Sequence, residues 1–167
     1  LQYDLLLVPD INKGICKGAV SIAVQIVEPT DVITLHVHEV KILEAKVDGK
    51  NAEITYNEEM QTVALVCAKK LPKGKVEVVL VFESKLRNDL RGFYKSSYEV
   101  NGKKKFLSTT QFEATDARRC FPCFDEPALK AIFKVTLVIP KDLTAISNMP
   151  IEKEVLQGAD KRIMFQA

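Results

Sequence analysis

Apolar residues alternate with polar ones along much of this chain, and this alternation constrains its fold more than any other feature. In the segments 21–26, 33–38 and 76–83 the apolar side chains occupy every second position. Side chains of a β-strand point alternately to opposite faces, so each segment predicts a strand with one buried face. Polar turn sequences separate these segments at 12–14, 28–31, 48–49, 57–59, 72–74 and 101–102. The pattern predicts an all-β fold, either an antiparallel two-sheet sandwich or a saddle-shaped pair of sheets.

One short segment, 126–131, is the only part of the chain with helical character. Proline is tolerated in the first turn of a helix, where no amide donor is needed, and Asp125 could cap the free amide groups. Apolar residues alternate again between Phe133 and Ile139, and Pro140 ends that strand. We therefore expect at most one short helical turn, near 126–131.

The length and composition of the chain favour one domain. Its 167 residues are 47% apolar and 28% charged, which is enough for a single core that buries about 70% of the surface of the unfolded chain. No repeat and no shift in composition divides the sequence, so we expect one β-rich domain over 1–167. The segment 163–167 is strand-like and lacks a terminating turn, so we expect an exposed sheet edge or further strands there.

The charge and hydropathy of the chain argue against a nucleic-acid or membrane partner. The net charge is +2 and the pI is near 8.3, which is too balanced for a basic stripe that binds a polyanion. The basic run 103–105 follows an Asn-Gly turn sequence at 101–102, which is more typical of a solvated hairpin end than of a phosphate-binding patch. No run of about 18 apolar residues occurs, so the sequence predicts no membrane span.

The cysteines and asparagines indicate in which cellular compartment the protein is located. A chain with a large core does not need disulfide bonds, so we expect free thiols at Cys16, Cys67, Cys120 and Cys123. No asparagine belongs to an Asn-x-Ser/Thr sequence, which is the acceptor for N-glycosylation. Both features favour a cytoplasmic protein.

The run 110–127 reads TQFEATDARRCFPCFDEP and combines acids, bases, thiols and prolines. On an extended strand Gln111 and Glu113 would project to the same face, and Phe112 would point into the core. A partly desolvated carboxylate is the simplest group that distinguishes a free ammonium from an amide. The glutamine oxygen could accept a second hydrogen bond from the same ammonium. The pair could therefore hold an ammonium group, although the residues alone favour an ordinary exposed strand acid at Glu113.

Charged residues of both signs follow this pair closely. They suit an internal ion-pair network better than catalysis, and we interpret them as scaffold: Asp116, Arg118, Arg119, Asp125 and Glu126. The same cluster offers an alternative for Glu113, which could be an ordinary exposed strand acid paired with one of the two arginines. The apolar segment 121–124 would supply anchors and a backbone bend that present the Gln-x-Glu strand.

Two pairs of residues have spacings that could bind a metal. Cys120 and Cys123 have C-x-x-C spacing, but apolar residues separate them and no second Cys or His pair lies nearby, so packed thiols are favoured. His36 and His38 share one strand face without an evident third ligand. His38 also begins a sequence like the zinc motif His-Glu-x-x-His, but position 42 is isoleucine and the segment alternates as a strand. We expect two histidines on the polar face of a strand and no metal site.

The run 110–127 resembles the N-terminal domain of zinc aminopeptidases of the aminopeptidase N and puromycin-sensitive type. That domain carries a Gln-x-Glu followed by Ala-Arg, Phe-Pro-Cys and Asp-Glu-Pro, and the chain matches each of these. The segments 3–5, 90–98 and 146–149 also resemble the family, so the similarity extends nearly from end to end. The family's Gly-x-Met-Glu-Asn loop, its His-Glu-x-x-His, its distal zinc-binding glutamate and its transition-state tyrosine do not occur within 1–167.

The resemblance implies that the chain is the N-terminal domain of a larger metalloaminopeptidase that removes N-terminal amino acids from peptides. Gln111 and Glu113 match the residues that hold the substrate's amino terminus in this family. Zinc would be bound outside this chain, by a catalytic domain that is absent from it and contacts it in the full-length enzyme. We expect the chain alone to be inactive. The closer likeness to the puromycin-sensitive branch also favours the cytoplasm.

Two other functions stay open from the sequence. Proteins related to this family, including a subunit of a general transcription factor, serve as interaction scaffolds without catalysis, although the presence of both Gln111 and Glu113 argues against that function. A stand-alone carbohydrate- or protein-binding sandwich is the third possibility, but the chain has no tryptophan and few aromatic residues.

Overall fold

The computed structural model of the chain describes residues 1–167, which form thirteen strands and one short 3-10 helix, Ala117–Arg119. The strands are β1 Gln2–Asp10, β2 Ile15–Ile26, β3 Thr30–His36, β4 Val40–Val47, β5 Lys50–Asn51, β6 Glu53–Asn57, β7 Thr62–Leu71, β8 Gly74–Lys85, β9 Gly92–Val100, β10 Lys103–Gln111, β11 Ile132–Pro140, β12 Ile151–Gln157 and β13 Asp160–Phe165.

The strands form three sheets. The largest has eight strands in the order β12-β13-β11-β1-β2-β8-β4-β5, the second has three in the order β3-β7-β6, and the third is the β9-β10 hairpin. All pairs are antiparallel except the parallel pair of β1 with β11. The prediction of an all-β fold is confirmed.

One cluster of 27 buried residues forms the main core. It combines Ile22 and Leu80 of the eight-stranded sheet with Leu35 and Leu65 of the three-stranded sheet, and these four side chains are at most 1% exposed. The alternating pattern thus places one apolar face of each sheet against the other, as in a sandwich. A second, smaller cluster comes from β11 and β13 and contains Ile139, Ile163 and Phe165.

The helical turn lies at a different place from the one expected. The segment 126–131 forms only a turn, in which the amide of Leu129 donates to the carbonyl of Glu126 at 3.0 Å, and the single helix is Ala117–Arg119. Asp125 caps no helix at 126–131, because its carboxylate instead accepts hydrogen bonds from the amide and the Nε of Arg118, at 3.3 and 2.9 Å.

The sequence predicted that the segment 163–167 forms an exposed sheet edge or precedes further strands. The first of these alternatives is wrong, because the segment does not lie at a sheet edge. Most of this segment belongs to β13, which pairs with β11 on one side and with β12 on the other. At this end of the sheet the edge strand is therefore β12, whose residues are mostly exposed. No helix in the structure could cross a membrane.

The β9-β10 hairpin agrees with its turn sequence. Asn101 and Gly102 have φ angles of 51° and 71°, the left-handed conformation that a tight two-residue hairpin turn requires. The three lysines 103–105 are exposed at the hairpin end, as expected. Gln111 is the last residue of β10 and pairs with Gly92, the first residue of β9. The hairpin therefore places Gln111 at its base, beside the 3-10 helix.

Candidate functional site

Gln111 and Glu113 lie on consecutive elements rather than on one strand. The strand β10 ends at Gln111, and Glu113 belongs to a turn that the amide of Asp116 closes by donating to the carbonyl of Phe112 at 2.9 Å. The expectation that both project from one extended strand is therefore wrong for Glu113. Both side chains are exposed, and the peptide bond between Glu113 and Ala114 is cis.

Phe112 points inward between these two residues. It is partly buried against the main core and makes an edge-to-face contact with Phe121, with ring centroids 6.0 Å apart and an interplanar angle of 74°. The expectation that Phe112 packs into the core is confirmed. The aromatic contact anchors the chain between the end of β10 and the turn that carries Glu113.

The carboxylate of Glu113 has no ion-pair or hydrogen-bond partner in the chain, because the nearby arginines bind other acids. Arg118 contacts Asp125 through its Nε at 2.9 Å, and Arg119 contacts Asp116 through its Nε at 2.7 Å. The alternative in which Glu113 pairs with either arginine is therefore not observed.

The two arginine–aspartate pairs of this region are internal, as expected, whereas the side chain of Glu126 is 55% exposed. All four side chains of the Arg118–Asp125 and Arg119–Asp116 pairs are at most 15% exposed. Glu126 lies 3.6 Å from the Nε2 of His36. These pairs connect the 3-10 helix and the segment that follows it to the rest of the domain, so they act as scaffold.

A second ionic network was not predicted from the sequence. Arg87, in the connection between β8 and β9, pairs with both Glu39 and Asp89, and Glu39 also lies 3.5 Å from the Nη1 of Arg119. The guanidinium of Arg87 lowers the pKa of Asp89 to about 2 through their hydrogen bond. Glu39 and Arg119 are 80 residues apart in the sequence, so no local pattern could have indicated that they meet.

The two histidines do not share the polar face of a strand. His36 is the last residue of β3, and its half-buried ring accepts a hydrogen bond from the amide of Asp125 at Nδ1, at 3.2 Å. His38 lies in the turn after β3, and its buried Nδ1 has no partner. Burial and then the charges of Arg119 and Arg87 lower the pKa of His38. The expectation is wrong because β3 ends at His36 and the chain turns toward Arg118, whose carbonyl accepts from the His38 amide at 2.9 Å.

The sequence comparison decides the family of this chain. Residues 1–166 match the model of the Peptidase M1 N-terminal domain. The chain belongs to this family. Aminopeptidase M1 of Arabidopsis thaliana is 41% identical to this M1 N-terminal domain over 174 residues, and Aminopeptidase M1-A of Oryza sativa subsp. japonica is 40% identical over 174 residues. Aminopeptidase 2, mitochondrial, of Saccharomyces cerevisiae is 38% identical over 172 residues.

Each of these alignments covers 99% of the chain but only 18–20% of the relative. This M1 N-terminal domain therefore spans about a fifth of the length of the curated relatives that it matches. The relatives' names support an aminopeptidase family.

The residues of this M1 N-terminal domain do not fit a zinc site. No three side chains of His, Cys, Asp or Glu come together in a group that could bind a metal ion. Cys120 and Cys123 are free, buried thiols, and burial raises the pKa of both, as expected for packed cysteines. His38 and Glu39 lie in a turn, whereas the His-Glu-x-x-His motif requires a helix.

An apolar groove of about 240 Å³ lies beside the turn that carries Glu113. Ala114 forms part of its wall, together with Phe121 and Phe133, and the carboxyl residue Asp125 also lines it. Leu129 and Phe133 in its lining are 46% and 39% exposed. The groove gives this side of the domain an apolar surface that begins at Ala114, the residue after Glu113.

Proposed function

We propose that this domain binds the amino terminus of the peptide substrate in a full-length zinc aminopeptidase, through Glu113 and Gln111. The observation that supports this function is the state of Glu113, which is exposed and unpaired although two arginines follow within a few residues. Both arginines are already bound to aspartates whose side chains are at most 15% exposed, so the carboxylate of Glu113 is available to an external cation.

A substrate ammonium is the cation that fits this function. When a second domain covers the site and excludes water, the attraction between the ammonium and the Glu113 carboxylate becomes stronger, because the local dielectric constant falls. The side-chain oxygen of Gln111 accepts another hydrogen bond of the ammonium. Fixing the amino terminus sets how far the peptide enters, and so places its first carbonyl at the reacting position.

The catalytic domain and the zinc ion belong to the part of the enzyme outside this chain. In this proposal the zinc ligands are residues of the catalytic domain, and this chain alone is inactive. The apolar groove beside Ala114 is the surface that the catalytic domain contacts. This contact closes the space around Glu113 and produces the desolvation that ammonium binding requires.

The kinetics of the full-length enzyme test this function. We expect Glu113→Gln and Glu113→Ala to lower kcat/KM for aminoacyl substrates by roughly tenfold to a hundredfold, because a misplaced amino terminus misplaces the carbonyl that reacts. Zinc content should stay unchanged. Glu53→Gln is the matched control, since Glu53 is an exposed, unpaired acid on β6. If kcat/KM of both Glu113 variants stays within about twofold of the wild type, the proposed role is wrong.

A pair of inhibitors separates ammonium binding from a general loss of activity. A peptide analogue and its desamino counterpart differ only in the charged group that Glu113 is proposed to bind. Glu113→Gln should lower the affinity for the amino analogue by about tenfold and leave the affinity for the desamino analogue nearly unchanged. Equal weakening of both would contradict a direct contact. An enzyme without activity that still binds partners would instead support the scaffold alternative.

We also propose a cytoplasmic location for the complete enzyme. The four cysteines are all free, as in proteins of reducing compartments, and the chain contains no Asn-x-Ser/Thr acceptor. Fractionation of cells with an antibody against this domain tests the proposal. Recovery in a membrane or organelle fraction would contradict it.

A further inference from the structure

We infer that Arg119 is a positioning residue, which fixes the turn that carries Glu113 relative to Gln111; this inference rests on the proposed function. The residues Glu113, Ala114 and Thr115 form no hydrogen bond with the rest of the chain. The turn is therefore fixed only at its ends. At the first end, Phe112 is anchored by its aromatic contact with Phe121.

Arg119 controls the second end of this turn. The amide of Asp116 donates to the carbonyl of Phe112 at 2.9 Å, and the Asp116 carboxylate accepts from the Nε of Arg119 at 2.7 Å. The amide of Arg119 also donates to the carbonyl of Asp116 at 3.2 Å. Both side chains of this ion pair are at least 85% buried from solvent, so their interaction is weakly screened. The position of Asp116, and with it that of Glu113, depends on Arg119.

The same guanidinium reaches a distant part of the fold. Its Nη1 lies 3.5 Å from Glu39 in the turn after β3, and Glu39 pairs with Arg87 just before β9. The backbone of Arg87 forms two hydrogen bonds with β9. Its amide donates to the carbonyl of Phe93 at 3.1 Å, and its carbonyl accepts from the amide of Lys95 at 2.8 Å. Arg119 therefore connects the turn that carries Glu113 to the strand that pairs with Gln111.

A close contact joins Arg119 to the hairpin as well. Gly92, which pairs with Gln111 in the ladder, has a φ angle of +64°, and a Cβ added there would lie 2.8 Å from the Cβ of Arg119 and 3.3 Å from the carbonyl of Asp116. The hairpin base can thus approach the 3-10 helix this closely only because position 92 lacks a side chain. Backbone packing and ion pairs together determine the separation of Gln111 and Glu113.

A double-mutant cycle in the full-length enzyme tests this inference. We expect Arg119→Met to lower kcat/KM for aminoacyl substrates by at least about tenfold in the wild-type background. In the Glu113→Ala background the same substitution should cost less than about threefold, because Arg119 then has no carboxylate to position. Arg119→Lys retains the charge without the forked geometry and should give an intermediate loss.

Two further variants distinguish a loss of positioning from a general loss of folding. Glu39→Gln breaks the connection to Arg87 at an acid that is 52% exposed. Arg87 and Arg119 keep their pairs with Asp89 and Asp116, so no buried charge is left unpaired, and we expect a loss of about threefold or more. Lys161→Met is the control, since Lys161 is 13% exposed like Arg119 and pairs with Glu154 at 3.3 Å on strands that do not contact the hairpin. It should change kcat/KM by less than twofold in both backgrounds.

The outcomes distinguish the inference from the proposed function. If Glu113→Ala is itself without effect, the proposed function fails and the inference fails with it. If Glu113→Ala lowers kcat/KM but Arg119→Met and Glu39→Gln do not, the inference is overturned and the function stands. The third outcome concerns the double variant Arg119→Met, Glu113→Ala. If its loss of kcat/KM equals the product of the two single-variant losses, Arg119 acts independently of Glu113, which also overturns the inference.

Discussion

Gly18 of β2 has less room for a side chain than any other glycine of this domain. A Cβ at this position would lie 2.3 and 2.6 Å from two ring atoms of Phe82 and 3.0 Å from the carbonyl oxygen of Leu6. Phe82 is fully buried in the main core, so its ring has nowhere to move. We expect Gly18→Ala to lower the free energy of unfolding by about 1–3 kcal/mol, as overpacked cores do. Urea denaturation of the chain measures this change.

A second substitution tests whether this steric contact is the cause. Phe82→Leu removes the ring atoms that the new methyl group would meet. The double variant Gly18→Ala, Phe82→Leu should therefore be more stable than the sum of the two single losses predicts. Strict additivity would mean that the loss has another origin, such as the backbone of Leu6.

At the scale of single residues, the sequence predicted the internal ion pairs better than the local structure around Glu113. The motif 110–127 indicated Gln111 and Glu113, and it indicated the ion pairs of Arg118 and Arg119 as scaffold. It could not indicate that β10 ends before Glu113, because that depends on a hydrogen bond between Phe112 and Asp116 that is formed only in the turn. Period-2 reasoning assumes a continuous strand, and a single closed turn breaks it.

At the scale of elements, the segment 121–125 depends on a hydrogen bond to a distant strand. The hydroxyl oxygen of Tyr3 in β1 accepts from the amide of Phe124 at 3.0 Å, and the Tyr3 ring stacks on Phe133 of β11 with centroids 4.6 Å apart. Tyr3 is 1% exposed, and burial raises the pKa of its hydroxyl to about 12. We expect Tyr3→Phe to cost about 1–3 kcal/mol, because the Phe124 amide loses its acceptor.

Chemical denaturation measures the effect of Tyr3→Phe, and hydrogen exchange locates it. The Phe124 amide should exchange faster in the variant than in the wild type. Tyr56→Phe is the comparison, since its hydroxyl also accepts from a backbone amide, that of Ile42 at 2.7 Å, but Tyr56 is 40% exposed. Water can replace its oxygen, so the loss should be smaller. An equal loss at both positions would contradict the explanation by burial.

The elements themselves were largely predictable where the signal was local. The alternation in 21–26 and 76–83 indicated parts of β2 and β8, and the Asn-Gly sequence indicated the turn between β9 and β10. The segment 126–131 was misjudged because a proline after an acid resembles the start of a helix. In the structure that acid, Asp125, binds Arg118 seven residues earlier, and this tertiary contact outweighs the local preference.

At the scale of the whole molecule, we expect stability to depend on pH through His38. Burial and the charges of Arg119 and Arg87 lower the pKa of His38 below its ordinary value of 6.5. Between the folded and unfolded pKa values the unfolded chain binds the additional proton, so this contribution to stability is present above about pH 6.5 and is lost as the pH falls. We expect the free energy of unfolding to decrease between pH 7.5 and pH 5.5.

The variant His38→Gln tests the origin of this pH dependence. Glutamine does not titrate, so its free energy of unfolding should fall less over the same pH range than that of the wild type. His36 is present in both proteins, and the difference between them therefore reports His38 alone. Identical pH slopes would assign the dependence to other groups.

The arrangement of the sheets was only partly predictable at this scale. Alternation indicated two apolar faces that pack together, and the buried cluster of 27 residues agrees with this. The parallel pairing of β1 with β11 was not expected, because the register that joins Tyr3 to Phe133 connects residues far apart in the sequence. Local periodicity shows which face of a strand is buried, but it contains no information about which strand lies next to it.

The central position of β1 has a consequence for synthesis of the protein. β1 is flanked by β2 on one side and by β11 on the other, so its second neighbour leaves the ribosome only after most of the domain has been made. Until then the nascent chain presents one unpaired edge of β1 to the solvent, where it can pair with other extended chains. A chaperone that shields this edge during translation would protect the growing polypeptide.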